Sequence, residues 1–176
     1  TVDGQTLLTQ GPTPNYWRAA ADGDKISNEW ATANQNMELE AFTVEQQEDR
    51  YVIRVRLNLP TAGNSKQDMT YTVYPSGAVQ VQAKLTAAAG LGELLKYGAE
   101  LTLPDGYEQI AWYGNGPEET FVDRRAGGRI GLYTDTVSNS FYPYLDPQVS
   151  GNHTDVRYIA LEDPENPVGL LVVGQN

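Results

Sequence analysis

Apolar residues alternate with polar ones along several stretches of this chain, and this period of two constrains the fold more than any other feature. Every second residue from 53 to 59 is apolar, with Arg54, Arg56 and Asn58 between them, and residues 79–85 repeat the pattern. A β-strand turns successive side chains to opposite faces, so one face of each segment can enter a core while the other meets water. The chain is therefore predicted to consist mainly of half-buried strands.

Turn-forming residues join these strands into hairpins. Residues 70–74 are rich in strand formers, and Pro75, Ser76 and Gly77 separate them from residues 79–85. A second hairpin is predicted from residues 37–44 and 51–59, with its turn at 46–49. Further strands are predicted at 99–103, 109–113, 130–133, 156–161 and 168–173. Short strands joined by turns are typical of an antiparallel sandwich or barrel, so the predicted fold class is all-β.

Helix signals are weak, because Gly90 and Gly92 interrupt the only cluster of helix formers, at 87–95. The longest predicted loops cover residues 11–30, 60–68 and 134–153. The chain stops just after a strand that reads as buried, at 168–173, so we expect it to be cut within a larger fold and to expose a sheet edge there.

Composition narrows the classes of function. The chain of 176 residues has no cysteine and one histidine, which excludes thiol catalysis, zinc–thiolate sites and a multi-histidine metal site. Its net charge of −11 makes nucleic acid and anionic membrane surfaces poor partners. The lack of cysteine fits a reducing or an oxidising compartment, so it does not fix the location.

Aromatic and charged side chains cluster in the second half of the chain and are candidates for binding a sugar. A ring can stack on the C–H face of a pyranose, and charged groups can bond its hydroxyls. The candidate substrate-binding residues are Trp112, Tyr113, Glu119, Arg124, His153 and Arg157. No residue is predicted to be catalytic.

Each candidate also has a structural interpretation, which we favour. Large aromatic residues are usually buried in cores or interfaces. Charged residues of this region can form an ion-paired network that holds the 114–129 segment. That network would involve Glu119, Asp123, Arg124, Arg125 and Arg157. His153 can be a loop histidine with a nearby hydrogen-bond partner, and residues 114–117 can form a tight bend after a strand.

Asp22 and Asp24 are the remaining candidates, as oxygen ligands of a hard cation. Two carboxylates fall short of the roughly 6–8 oxygens that calcium prefers. A role in a loop or cap is therefore favoured, and no metal site is predicted.

Residues 112–124 read WYGNGPEETFVDR and fit the pattern Tyr-Gly-x-Gly-Pro-x-Glu-x-aromatic-x-Asp-Arg. This block resembles a signature of the closing domain of family 2 β-galactosidases, with Phe121 in place of the usual tyrosine. Residues 15–24 and 142–157 resemble other blocks of that domain, in the same order. Departures are Gly23, where the family usually has asparagine, His153, where it often has arginine, and Leu95-Lys96, where it tends to have Pro-Arg.

The resemblance implies an antiparallel β-supersandwich similar to that of galactose mutarotases, truncated at its C-terminal end. Residues 1–176 would be a single fragment, the N-terminal part of that closing domain. The parent would hydrolyse terminal non-reducing β-D-galactosides with retention, in the cytoplasm or periplasm of a bacterium. Retention needs two carboxyl groups roughly 5–5.5 Å apart, which this family takes from an upstream β/α barrel. No acidic residue here matches those motifs.

The partners implied by the resemblance are the catalytic barrel and the galactoside, with homo-oligomerisation as a further expectation. This fragment would carry no cofactor, and any divalent cation would belong to the barrel. Two other functions stay open. One is a stand-alone carbohydrate-binding module, suggested by the aromatic-rich loops. The other is a mutarotase-like epimerase, suggested by fold analogy alone.

Overall fold

The computed structural model describes residues 1–2, 4–18, 28–61, 63–146 and 148–174. Strands predominate in them, and the pairings within both four-stranded sheets are antiparallel, which confirms the predicted all-β class. The main elements are β1 (Gln10–Asn15), α1 (Asn28–Gln35), β2 (Glu38–Gln47), β3 (Arg50–Leu59), β4 (Ser65–Val73), β5 (Val79–Thr86), β6 (Gly98–Thr102), β7 (Gln109–Gly116), β8 (Arg129–Thr136), β9 (Tyr158–Glu162) and β10 (Leu170–Val173). Short 3-10 turns occupy Val122–Gly127 and Ser138–Ser140.

The chain divides into two compact units. Unit 1 contains Thr1–Gly11 and Leu101–Asn176, and unit 2 contains Pro12–Glu100. Strands β1 and β6 form a separate two-stranded sheet. The interpretation of residues 1–176 as a single domain stays a prediction.

Unit 2 contains the sheet β2-β3-β4-β5, in which each strand pairs with the next one along the chain. Both predicted hairpins are confirmed. In the hairpin of β4 and β5, the Tyr74 amide donates to the Ala78 carbonyl at 2.9 Å and Gly77 adopts a φ of +85°. Glycine meets that left-handed conformation without the steric cost of a side chain. Local alternation and local turns are thus sufficient to order this sheet.

The segment predicted as the 11–30 loop contains most of a strand and the start of a helix, and it supplies Tyr16 and Trp30 to the core of unit 2. Both β1 and α1 fall within residues 11–30 or directly beyond them, and the loop prediction was wrong there. Trp30 and Ala33, one turn apart on α1, are buried with Tyr16 and Leu59. An eight-residue helix has little stability of its own, so this packing rather than helix propensity accounts for it.

The predicted loop at 60–68 was also partly wrong, because β4 begins at Ser65. The buried face of its first half is polar, which hides the period of two. Ser65 Oγ lies 2.8 Å from Thr61 Oγ1, and Gln67 Oε1 accepts a bond of 2.8 Å from the Tyr16 hydroxyl. Buried polar groups are tolerated when they are paired in this way. Burial raises the pKa of Tyr16, with a smaller contribution from Tyr97, so this hydroxyl stays a donor.

Unit 1 contains the sheet β10-β9-β7-β8. All four of its strands were predicted, although β8 runs on to Thr136, into the predicted 134–153 loop, and β9 begins two residues late at Tyr158. The segment before β9 instead bonds the end of β7, where the Arg157 amide donates to the Tyr113 carbonyl at 2.8 Å. No helix in the described part of the chain is both long and apolar enough to cross a membrane.

Candidate functional site

Glycines at the end of β7 allow unusually close packing in unit 1. The strand continues through Gly116, so the tight bend predicted at residues 114–117 was wrong, and the chain leaves the strand only at Pro117. A Cβ atom on Gly114 would lie 2.8 Å from the Val156 Cα, and one on Gly116 would lie 2.7 Å from the Tyr133 ring. The glycines are therefore explained by close approach, not by a turn.

Trp112 lies at the centre of this packing. Its side chain is only 1% exposed, and its indole Nε1 donates to the Asn115 carbonyl at 3.0 Å. The ring packs at 5.5 Å from the Tyr133 ring and stacks at 4.1 Å on the His153 ring, centroid to centroid. Trp112 is therefore a core residue of unit 1.

His153 lies partly buried against the face of Trp112. Its Nδ1 atom is buried and has no hydrogen-bond partner among the described residues. Burial lowers the pKa of the imidazole, while a backbone hydrogen bond with Asn115 and the carboxylates of Asp135 and Glu119 oppose that shift. The neutral ring is the form that suits this position.

Glu119 and Arg124 brace the segment that follows β7. Arg124 pairs with Glu119 Oε1 and donates to the Tyr144 hydroxyl at 2.6 Å. The Gly151 amide donates to Glu119 Oε2 at 2.8 Å. Both carboxylate oxygens are therefore bonded within unit 1, as the ion-paired-network interpretation requires.

Tyr113 lies on the opposite face of β7 from Trp112, because successive side chains of a strand alternate between its faces. Arg157, in the segment before β9, packs on Tyr113. The Arg157 guanidinium sits 5.9 Å from the centre of the Tyr113 ring, and the Tyr158 ring stacks on the same tyrosine at 6.0 Å. Tyr113 is 39% exposed. Tyr113 is therefore open to solvent, whereas Trp112, its neighbour in the chain, is buried.

A buried polar cluster that the sequence analysis did not identify holds these parts together. Asn115 and Thr120 are nearly fully buried. The Asn115 Nδ2 donates to Thr154 Oγ1 and to Asp155 Oδ2, each at 2.9 Å, and Thr120 Oγ1 lies 3.0 Å from Thr154 Oγ1. Asn115 and Thr154 both lie within the motif blocks, at residues 112–124 and 142–157. Their spacing along the chain does not show that their side chains pair, because the two blocks are distant in sequence.

The six predicted residues therefore occupy three places instead of one pocket. Trp112 and His153 form a buried stack, Glu119 and Arg124 form a brace, and Tyr113 and Arg157 lie on an open face. Asp22 and Asp24 lie outside the described residues. Among those described, no group of three acidic or histidine side chains could hold a metal ion.

The similarity of this chain to known proteins extends over most of its length. The family model described as "Beta galactosidase small chain" matches residues 1–173. A β-galactosidase of Priestia megaterium is 32% identical over 174 residues, covering 96% of this chain. Those of Halalkalibacterium halodurans and Lactobacillus delbrueckii subsp. bulgaricus are 30% and 31% identical, over 91% and 97% of this chain. The chain spans only 17–18% of the length of these three relatives.

Proposed function

The chain belongs to the β-galactosidase small-chain family, and on that premise we propose that it is the non-catalytic accessory β-region of a β-galactosidase. The parent hydrolyses terminal non-reducing β-D-galactosides with retention, and this region supports the catalytic barrel and borders the sugar site. The match over residues 1–173 carries this proposal.

The bonding of Glu119 supports the absence of a catalytic role. A retaining glycosidase needs one carboxylate free to attack and one carboxyl group free to pass a proton. Glu119 is the acidic residue within the family motif block that is most enclosed, and its two oxygens accept bonds from Arg124 and from the Gly151 amide. Its hydrogen-bonding capacity is used to hold the loop.

Exposed apolar sheet faces support the remainder of the parent polypeptide as the partner. On the β2–β5 sheet, cross-strand register places six exposed apolar residues on one face, here named the Phe42 face: Leu39, Phe42, Val44, Tyr51, Val79 and Val81. On the sheet of unit 1, the Tyr113 face carries Tyr113, Leu132, Leu171 and Val173, all exposed. Continuous apolar patches of this kind usually mark interfaces. The relatives are about six times longer than this chain, which supplies the polypeptide to cover them.

The test is complementation of hydrolysis. The chain alone is expected to leave a chromogenic β-galactoside intact, whereas mixing it with the remaining part of its parent enzyme should restore turnover. Phe42→Asp should weaken that restoration, and Lys84→Asp, an exposed change on the other face of the same sheet, should not. Robust turnover by the chain alone that disappears in Glu119→Gln would refute the accessory role.

A stand-alone carbohydrate-binding module is the second candidate, and one observation favours it. Tyr142 is 59% exposed and its ring lies 4.6 Å from that of Tyr144, so an aromatic pair stands at the surface. Calorimetry with galactose, lactose and β-galactan oligosaccharides separates this candidate from the first. Binding that is abolished by Tyr142→Ala, without any complementation of hydrolysis, would favour the module.

A further inference from the structure

An open groove of about 560 Å³ in unit 1 lies next to the brace, and no function is yet assigned to it. Its walls come from the end of β7, the start of β8, the 3-10 turn at Val122–Gly127 and the segment before β9. The lining residues are Asn115, Val122, Asp123, Arg125, Ala126, Ile130, Asp155 and Arg157. Main-chain bonds fix its base, since the Asn115 amide donates to the Thr154 carbonyl at 3.0 Å.

The polar wall of the groove is rigidly built around Asp155. This residue has a left-handed backbone, with a φ of +55°, which is unusual for a residue with a side chain. Asn115, 5% exposed, donates to Asp155 Oδ2 at 2.9 Å. Arg125 binds the same carboxylate through both Nε and Nη2, the first at 2.6 Å, in the two-bonded fork that arginine makes with carboxylates.

Donor and acceptor groups remain available among the other residues that line the groove. Arg157 donates one bond, from Nη1 to the Asp155 carbonyl, and a guanidinium carries five N–H donors. Asp123 makes no hydrogen bond or ion pair within the described ranges of the chain, so its carboxylate is free to accept. Val122, at 89% exposure, and Ile130, at 44%, add apolar surface between these polar groups.

Charge balance decides the class of ligand. The groove holds the carboxylates of Asp123 and Asp155 and the guanidinium groups of Arg125 and Arg157, so their formal charges cancel. An anion such as phosphate would meet as many carboxylates as guanidinium groups, which disfavours it. A neutral ligand with adjacent hydroxyls can donate to a carboxylate and accept from a guanidinium at once, while its C–H face meets apolar side chains.

We propose that this groove is a binding site for a neutral saccharide, with Asp123 accepting from ligand hydroxyls and Arg157 donating to them. The Arg125–Asp155 fork positions Arg157 through the Asp155 carbonyl. The site lies wholly within unit 1 and does not depend on the activity of the parent enzyme.

The test is an amide NMR titration of the full chain with lactose, galactose and maltose. Saturable shifts are expected at Asn115, Asp123 and Arg157. Asp123→Asn and Arg157→Met should each weaken binding about tenfold, because each removes a hydrogen bond to a charged group. Asp105→Asn is the matched control, since it makes the same change of charge in the exposed turn before the other end of β7 and should bind normally.

The outcomes separate cleanly. No saturable shift at tens of millimolar ligand would overturn the proposal, as would shifts confined to Tyr142 and Tyr144 that Asp123→Asn does not change. Inorganic phosphate that saturates the same amides more tightly than any saccharide would also overturn it. Asp123 is exposed and makes no bond among the described residues, so the Asp123→Asn variant is expected to fold. That variant keeps the test decisive even if Arg157→Met unfolds. Complementation of hydrolysis is scored separately, so either proposal can fail alone.

Discussion

Unit 2 and unit 1 build sheets of the same size from different kinds of contact. In unit 2 each strand of the β2–β5 sheet pairs with its neighbour in sequence through a short connection. In unit 1 the inner strand β7 pairs with β9 so that Gln109 lies opposite Glu162, and at the end of β7 the Asn115 side chain bonds the side chains of Thr154 and Asp155. Local contacts cost little loop-closure entropy, whereas distant ones must be secured by specific packing and polar pairing.

Substitutions are therefore expected to act differently in the two units. Unit 2 tolerates change on its exposed faces because its sheet is ordered by alternation and turns. In unit 1, removing or adding side-chain atoms at a few closely packed positions should disturb several segments together. The following substitutions test that contrast.

The largest effect is expected for Trp112→Ala in unit 1. Removing a fully buried large aromatic residue typically costs about 3–5 kcal/mol of unfolding free energy. Amide exchange should show lost protection across β7, β8 and residues 151–157, while the β2–β5 sheet keeps its protection. Val122→Ala, at an 89% exposed site of the same unit, is the control and should change little. Equal loss of protection in both units would break the contrast.

A smaller loss is expected for Gly114→Ala. The added Cβ would lie 2.8 Å from the Val156 Cα, and backbone at that distance has to move. Overpacking of this kind costs about 1–3 kcal/mol, measurable by denaturant unfolding. Gly98→Ala in unit 2 is the matched control, because no atom lies within 4 Å of its added Cβ and its φ is ordinary. A stable Gly114→Ala protein would show that the close approach is not required.

A modest pH dependence is expected from His153. Burial lowers its pKa below the ordinary 6.5 in the folded state. The unfolded chain therefore binds this proton at a higher pH than the folded chain, so stability falls as pH decreases below about 6.5 towards the folded-state pKa. In His153→Phe that part of the slope should disappear. Chemical unfolding at a series of pH values checks this, and an unchanged slope in the variant would assign the dependence to other groups.

The smallest effect is expected for the Arg56–Asp68 pair on the polar face of the unit 2 sheet. Arg56 Nε lies 2.7 Å from Asp68 Oδ1, and 52% of the arginine side chain and 35% of the aspartate side chain are exposed. Solvent-exposed pairs of this kind contribute little to stability. Arg56→Met should leave the unfolding midpoint unchanged within error, whereas Arg125→Met in unit 1 should lower it by freeing Asp155 from its fork. A reversed order of the two variants would contradict the contrast between the units.

The sequence predicted the regular strands well and the core of unit 2 poorly. Alternation located β3 and β5, and turn residues joined β4 to β5. It missed α1, whose two buried residues are too few to form a visible pattern, and it missed the start of β4, whose buried residues are polar. Among the candidate site residues, the ion-paired role of Glu119 and Arg124 could be anticipated from charge, whereas the groove around Asp155 could not.

Consecutive residues were enough to predict that this chain forms antiparallel sheets and belongs with the small chains of β-galactosidases, because strand period, turn chemistry and motif order are local features of a sequence. The tertiary structure alone decided that Trp112 is buried under His153 while Tyr113 is open, and that Asn115, Arg125 and Arg157 meet around Asp155. Those facts depend on which face of a strand is covered and on contacts between residues some 30 to 40 positions apart, such as Asn115 with Asp155.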